Sequence, residues 1–446
     1  MENSSVDFSK GEIMPLILKF SIPAAISLLI SAIYNIVDRM FVGNFVGNTE
    51  LAALSICFPL SFMMIAFGLM CSAGGSTLFT MFRGEGNQDT ANRTFTHAFV
   101  MNLVFEIVLM IVLLSFPDFF LHIFGVTATT YEGALTYYKI VSLGCIFQGL
   151  TFCYCDYVRV SGMPVLGMMV TGIGAVTNII LDAVFVAGLH LGISGAAWAT
   201  VIGQIVSFVF GSVLLFSGKT LVEIRKKYFS PNVKLALRIL NCGFTFWIAQ
   251  MAMGFIALVY NGCLGTYGGD VAISSYAIIS SMMTFLIMPA SGISMGIQPL
   301  VSFNYSSGHK PRVMKIFFQA TGLSVLITTF IWLVIEIFPA AVIQLFGGGA
   351  QLLEIGIPAL RYNFIIAPLL GFIMLATTFF QSLDKAVASS IITLLRQVVV
   401  LVPLIYILPR HFGTIGIFWA QPISDLLATV ISAILIYRTW RDFTKK

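Results

Sequence analysis

Carboxylate and hydroxyl side chains interrupt the apolar stretches of this chain at three places that could bind a small cation. Asp38 lies about five residues before the end of one stretch, and Asp182 about six residues before the end of another. Thr200 lies about eight residues into a third stretch, so at a rise of roughly 1.5 Å per residue all three reach a similar depth. A carboxylate inside a bilayer is too costly to be kept without a role.

Two further polar residues are expected to face the same site. Asn178 is four residues before Asp182, and Tyr34 is four residues before Asp38, so each shares a helix face with its partner. Oxygen ligands suit sodium, and two carboxylates close together in a low dielectric also favour binding a proton. The sequence predicts cation coupling by these five side chains and leaves open whether the coupling ion is sodium or a proton. A purely structural hydrogen-bond cluster is the alternative.

The composition indicates a polytopic membrane protein. Of 446 residues, 58% are hydrophobic and 10% are charged, and the mean hydropathy is +0.96. A helix needs about 20 apolar residues to cross a bilayer, and twelve stretches reach that length. They are 15–43, 52–80, 94–116, 133–158, 165–188, 192–216, 238–262, 272–303, 314–338, 355–380, 386–408 and 412–437. Because the stretches are continuous rather than alternating, they predict an all-α fold of twelve transmembrane helices and exclude a barrel.

The basic residues predict the orientation of these helices. Eighteen of the 24 Lys and Arg fall in the N-terminal tail, the even-numbered loops and the C-terminal tail. The loops on the opposite side contain only Arg410, so both termini are expected to face the cytoplasm. The net charge of +5 therefore reflects topology, and we do not expect nucleic-acid binding. The basic segment 217–235 is expected to be a solvated loop rather than a lipid-binding one.

The two halves of the chain repeat each other. Ser72, Gly74, Leu78 and Gly86 match Ser294, Gly296, Leu300 and Gly308 at an offset of 222 residues, and Gly192, Gly195, Trp198 and Ala199 match Gly413, Gly416, Trp419 and Ala420 at 221. The predicted domains are an N-lobe at 1–216, a cytoplasmic linker at 217–237 and a C-lobe at 238–446. Because each lobe has an even number of helices, the two pseudo-symmetric six-helix lobes are parallel repeats, which is typical of a transporter.

Three segments resemble the multidrug and toxic compound extrusion (MATE) family in its bacterial form. They are YNIVDRMFVG at 34–43, TNIILD at 177–182 with GISGAAWAT at 192–200, and GIQPLVSFNYSSG at 296–308. The resemblance covers essentially the whole chain. It implies an ion-coupled antiporter whose N-lobe cation site matches Asp38, Asn178, Asp182 and Thr200. It also implies that the first helix bends at Pro23.

The C-lobe does not duplicate the cation site. Tyr260 stands opposite Asp38 in the repeat, and Val399 and Pro403 stand opposite Asn178 and Asp182. If an ion drives transport, the sequence therefore favours the N-lobe.

Other intramembrane residues have less specific interpretations. Arg396 and Asp425 reach nearly the same depth, so we expect a structural ion pair within the C-lobe rather than a substrate contact. Glu106 lies near mid-depth, where Lys139 is within reach, and its role stays open between structure and transport. Aromatic and Met residues suit a cavity for amphiphilic cations, although most such residues pack helices or face lipid. The predicted cavity residues are Tyr34, Phe62, Met63, Phe285 and Met288.

These observations predict a multidrug efflux antiporter of a bacterial plasma membrane that exchanges lipophilic or cationic compounds for sodium ions or protons. The alternative is a flippase for lipid-linked sugars from a related superfamily, but the intramembrane basic residues are too scattered to bind a pyrophosphate. An enzyme is not expected, because all five histidines lie near helix ends or in loops and the sequence has no HExxH motif. The sequence also has no GxxxxGK motif, so direct ATP drive is not expected. We expect no cofactor beyond the coupling ion, and a monomer in the bilayer.

Overall fold

The computed structural model describes residues 8–345 and 350–444, and this part of the chain is helical without a β-strand. Within these residues, ten helices are long and apolar enough to cross a membrane, and counting each of two bent helix pairs as one span gives twelve candidate spans. The spans are α1 (Ile13–Phe45), α2 (Thr49–Gly84), α3 (Gln88–Ser115), α4 (Tyr131–Ser142 with Cys145–Val160), α5 (Pro164–Gly188), α6 (Gly192–Phe216), α7 (Val233–Gly269), α8 (Ser275–Ser306), α9 (Lys310–Ile337), α10 (Leu353–Phe364 with Ala367–Ser382), α11 (Ala386–Ile407) and α12 (Pro409–Thr444). The predicted all-α fold with twelve spans is confirmed.

The backbone repeats between the halves as the sequence does. The fourth helix of each half is bent at the same place, by 48° after Ser142 in α4 and by 44° after Phe364 in α10. Residues with positive φ also recur at offsets of 221 or 222: Gly47 with Gly269, Gly86 with Gly308, Gly162 with Asp384, and Gly192 with Gly413. A side chain disfavours positive φ, so most of these positions are glycine, and aspartate is among the residues that tolerate it.

The chain forms two compact units that share two helices. One unit contains Ile26–Gln250, and the other contains Phe8–Ala25 together with 251–444. The first part of α1 therefore belongs to the same unit as α8–α12, and the first part of α7 belongs to the same unit as α2–α6.

Small residues allow close packing at the shared helices. In the unit with Ile26–Gln250, a Cβ on Gly243 of α7 would overlap the carbonyl oxygen of Met70 in α2. In the other unit, a Cβ on Gly296 of α8 would lie 2.6 Å from the amide nitrogen of Ser21 in α1. Gly296 corresponds to Gly74 of α2, whose own Cβ would lie 2.7 Å from the amide nitrogen of Gly243. The same helix contact is thus built twice.

Side chains of α3 hold the linker between α6 and α7. His97 Nε2 accepts a hydrogen bond from the Asn232 amide at 3.0 Å, and Asn92 Oδ1 accepts one from the Glu223 amide at 3.1 Å. Lys227 Nζ donates to Asp89 Oδ1 at 2.8 Å, and this hydrogen bond raises the pKa of the Lys227 ammonium. The linker therefore has a defined path across the start of α3.

Candidate cation site

Asp38 lies in the second part of α1 and lines a small cavity. Its side chain is buried, and Oδ1 has no hydrogen-bond partner within the described residues. The cavity has a volume of about 20 Å³, and a polar cavity of roughly 10–15 Å³ is enough for one water molecule. Its walls are Asn35, Asp38, Arg39, Leu54, Cys57, Phe58, Ser61 and Tyr137. The Asp38 cavity, as we call it, is therefore suited to one small, polar occupant.

Close packing of α5 against α6 positions the next two oxygen ligands. A Cβ on Gly203 of α6 would lie 2.8 Å from the carbonyl oxygen of Gly174 in α5, so glycine permits this approach. One turn further along, Asn178 Nδ2 donates to Thr200 Oγ1 at 3.4 Å. Asn178 Oδ1 is left buried without a partner in the described chain.

Asp182 ends the α-helical part of α5. It is 0% exposed, and neither of its carboxylate oxygens has a donor among the described residues. The turn that follows, Ala183–Gly188, is a π-helix. Single π-helical turns are frequent at functional sites, because they redirect side chains inside an otherwise regular helix.

The structure brings the predicted N-lobe residues into mutual reach. Asp38 is close enough to Asp182 and to Tyr34 to interact electrostatically with both side chains. Tyr137 of α4 lines the Asp38 cavity together with Asp38. The sequence reasoning missed Tyr137, although a tyrosine inside an apolar stretch at this depth was an available signal.

Four acceptor oxygens of this site have no donor within the described residues: Asp38 Oδ1, Asn178 Oδ1 and both carboxylate oxygens of Asp182. Acceptors that lack donors fit a sodium ion or a proton, each of which supplies the missing positive partner. Across residues 8–345 and 350–444, no three His, Cys, Asp or Glu side chains are grouped as for a transition metal.

Arg39 faces the same cavity as its neighbour Asp38. Its guanidinium carbon lies 4.4 Å from the centre of the Phe58 ring, which is a cation–π distance. This contact holds the guanidinium beside the cavity wall.

The predicted substrate-cavity residues divide between the two units. Tyr34, Phe62 and Met63 lie in the unit with Ile26–Gln250, and Phe285 and Met288 lie in the other. Met63 packs against a buried hydrophobic cluster, whereas Phe285 is 45% exposed. Pro23 lies inside α1, two residues before the boundary between the units. A joint role in substrate binding stays a prediction.

The second unit contains an intramembrane ion pair. Arg396 Nε donates to Asp425 Oδ1 at 2.7 Å, and Gln421 Nε2 donates to the same oxygen at 3.0 Å. Ser424 Oγ donates to the Arg396 carbonyl at 2.6 Å, which holds α11 and α12 together beside the pair. Arg396 lies in a second π-helical turn, Leu395–Val399.

Comparison with known proteins identifies the family. The family model described as MatE matches the chain twice, at residues 23–184 and 246–407. The chain belongs to the MatE family. The resemblance inferred from the sequence is therefore confirmed, and each half of the chain contains one copy of the family's repeat.

The MatE chain is similar to curated proteins and solved structures along its whole length. It is 26% identical over 434 residues to multidrug export protein MepA of Staphylococcus haemolyticus, covering 96% of this chain and 94% of the relative. It is also 26% identical over 438 residues to MepA of Staphylococcus aureus, covering 96% and 95%. A crystal structure of a MATE protein in the bent conformation matches with a TM-score of 0.92 at 22% identity, covering 99% of both chains. The structure of a multidrug resistance MATE family transporter in the outward-facing conformation matches with a TM-score of 0.92 at 22% identity, covering 99% of both chains. These two structures establish the fold.

Proposed function

We propose that this protein is a secondary active efflux antiporter of a bacterial plasma membrane, with both termini in the cytoplasm. It exports amphiphilic, often cationic organic compounds in exchange for sodium ions or protons. The relatives named as multidrug export proteins support this proposal, because they align with 96% of the chain. Membership of the MatE family and the twelve apolar spans support it as well.

The observation that carries the ion coupling is the set of donor-free acceptors at Asp38, Asn178 and Asp182. A bound sodium ion or proton supplies the positive charge that these oxygens lack. Without it, Asp38 and Asp182 repel each other and their donor-free oxygens remain unpaired in a low dielectric, which is destabilising even though Arg39 lines the same cavity as Asp38. The arrangement of α1 and α5 that the two aspartates favour therefore depends on whether a sodium ion or proton is bound.

The first helix is the element through which this preference can reach a transported compound. Asp38 lies in the part of α1 that belongs to one unit, while Phe8–Ala25 belongs to the other. Pro23 has no amide hydrogen to donate to the preceding turn, so bending α1 at this position is easier than elsewhere. Exchange of ion for substrate then requires only that the two prefer different states of the protein.

The test is efflux of a fluorescent organic cation in everted vesicles or proteoliposomes, under an imposed sodium gradient and then an imposed proton gradient. We expect transport to depend on one of the gradients. Asp38→Asn and Asp182→Asn keep the shape of the side chains and should abolish that dependence. Asp442→Asn, which changes an exposed aspartate at the end of α12, is the matched control and should leave transport unchanged.

Each outcome has a defined meaning. Gradient dependence that is lost in both site variants and retained in the control supports the antiporter. Normal gradient-driven efflux by Asp38→Asn at normal expression would remove the coupling role of this site. Transport that ignores both gradients would argue against antiport and favour the flippase alternative.

A further inference from the structure

Glu106 is a buried carboxylate that the proposed cation site does not use. It lies on α3 and is 0% exposed. Neither of its carboxyl oxygens has a hydrogen-bond partner among the described residues. An ionisable group inside a membrane helix bundle requires a functional explanation, because its unpaired burial is destabilising.

Two glycines make the space that the carboxyl group fills. A Cβ on Gly149 of α4 would overlap the Glu106 carboxyl group. A Cβ on Gly68 of α2 would lie 3.4 Å from Glu106 Oε1 and 3.1 Å from the Gly149 Cα. Helices α2, α3 and α4 therefore close tightly around Glu106, and we call this place the Glu106 notch, formed by Gly68, Asn102, Glu106 and Gly149.

Asn102 fastens the notch and adds a further unpaired oxygen. It lies one helical turn before Glu106 on the same face, and its Nδ2 donates to the Gly149 carbonyl at 3.0 Å. Its Oδ1 is buried without a partner within the described chain. The notch thus contains three buried acceptor oxygens, Asn102 Oδ1 and the two of Glu106, for which the described residues provide no donor.

The groups that face the notch do not neutralise it. Cys71 of α2 and Cys145 of α4 are close enough to interact electrostatically with Glu106, but a thiol carries no positive charge that could neutralise a carboxylate. Lys139, which the sequence placed within reach, is exposed and forms no ion pair with Glu106. Among the described residues, no cationic side chain contacts either carboxyl oxygen of Glu106.

We propose that Glu106 is a proton-binding site of its own, separate from the site at Asp38 and Asp182. The proton comes from water and is held on a Glu106 carboxyl oxygen, so the closed notch contains a neutral acid. The protonated oxygen then provides one O–H donor in a notch for which the described residues provide none. A neutral acid also removes the large penalty for burying an unpaired charge.

Glu106 then cannot ionise while α2, α3 and α4 stay packed around it. Release of the proton creates a charge that has to be hydrated, and this requires the notch to open. Alkaline conditions should therefore favour arrangements in which these helices are separated near Gly68 and Gly149. This coupling of pH to helix packing does not depend on whether Asp38 and Asp182 drive transport.

Infrared spectroscopy of the purified protein in lipid tests the proposal directly. The C=O stretch of a protonated carboxyl group is separate from the bands of carboxylates and amides. We expect the difference spectrum between the wild type and Glu106→Gln at neutral pH to contain this band. Glu132→Gln, which changes an exposed glutamate of α4, is the matched control and should give no such difference.

A second measurement reports on packing. The thermal stability of the wild type should fall as the pH rises, because the folded protein holds a proton that the unfolded chain has released. Glu106→Gln is neutral at every pH and should lose this part of the slope. If it cannot be purified, Glu106→Asp should shift the infrared band, since the acid moves back by one methylene.

The outcomes decide the proposal. A carboxylate band in place of the acid band, or one that changes with added sodium, would overturn it in favour of an ionised group. An acid band that is identical in wild type and variant would also overturn it. Loss of the band together with an unchanged sodium or proton coupling at Asp38 supports it, and that result separates it from the transport proposal.

Discussion

Disruption of the Arg396–Asp425 ion pair should destabilise the protein strongly. The side chains are 13% and 3% exposed, and the nitrogen and oxygen that join them are 2.7 Å apart. Arg396→Leu leaves the buried carboxylate with Gln421 as its neutral donor. Removal of one partner from a buried pair destabilises a protein by about 3–5 kcal/mol, because an uncompensated charge remains.

Removal of both partners should be much less damaging. In Arg396→Leu with Asp425→Leu, no charge is buried, and replacing a buried ion pair with apolar residues is often neutral. The Ser424 hydroxyl donates to the backbone carbonyl of residue 396, so this contact between α11 and α12 remains in every variant. We therefore expect the double variant to be more stable than either single variant.

Thermal unfolding in detergent at a fixed scan rate measures the effect. The control is Arg225→Leu, because Arg225 pairs with Glu223 at the same 2.7 Å but the two side chains are 60% and 51% exposed. Such a surface pair contributes about 0–1 kcal/mol, so this variant should melt with the wild type. The reasoning is refuted if Arg396→Leu also melts with the wild type, or if the double variant is less stable than both single variants.

Two further predictions concern packing and the linker. Gly243→Ala places a Cβ on the carbonyl oxygen of Met70, where backbone cannot move aside, so we expect little monodisperse protein by size-exclusion chromatography. Gly262→Ala in the same helix meets no atom within 4 Å and should behave as the wild type; equal yields of the two variants would contradict the packing argument. His97→Leu removes the acceptor for the Asn232 amide, so limited proteolysis should cut the linker faster, and an unchanged cleavage rate would show that the other contacts suffice.

Most of the fold was predictable from the apolar stretches, because the thickness of a bilayer sets the length of each helix. The first stretch was predicted at 15–43 and α1 is Ile13–Phe45. The bends in α4 and α10 were not predictable from hydropathy, which does not change across a break of two residues. The sharing of α1 and α7 between units was missed for a related reason. A repeat defines which helices correspond, but not which part of a helix packs where.

The candidate site was predictable only in part. Depth and helix-face arguments selected Asp38 and Asp182, whose charges interact in the structure. The same depth argument paired Arg396 with Asp425 and agrees with their contact. Tyr137 was missed because depth says nothing about the rotation of a helix, and packing determines which of its faces points to the site.

The sharing of α1 and α7 has a consequence for any attempt to divide the chain. A fragment that ends in the linker would contain α2 with its glycine contact at Gly74 but would lack Val233–Gly269, whose first part fills that contact. A second copy of the same repeat could fill it with its own first helix, as in domain swapping. In the undivided chain, each unit already contains a helical segment from the other half of the sequence. Two separate half-length chains could obtain the same contacts only by dimerising.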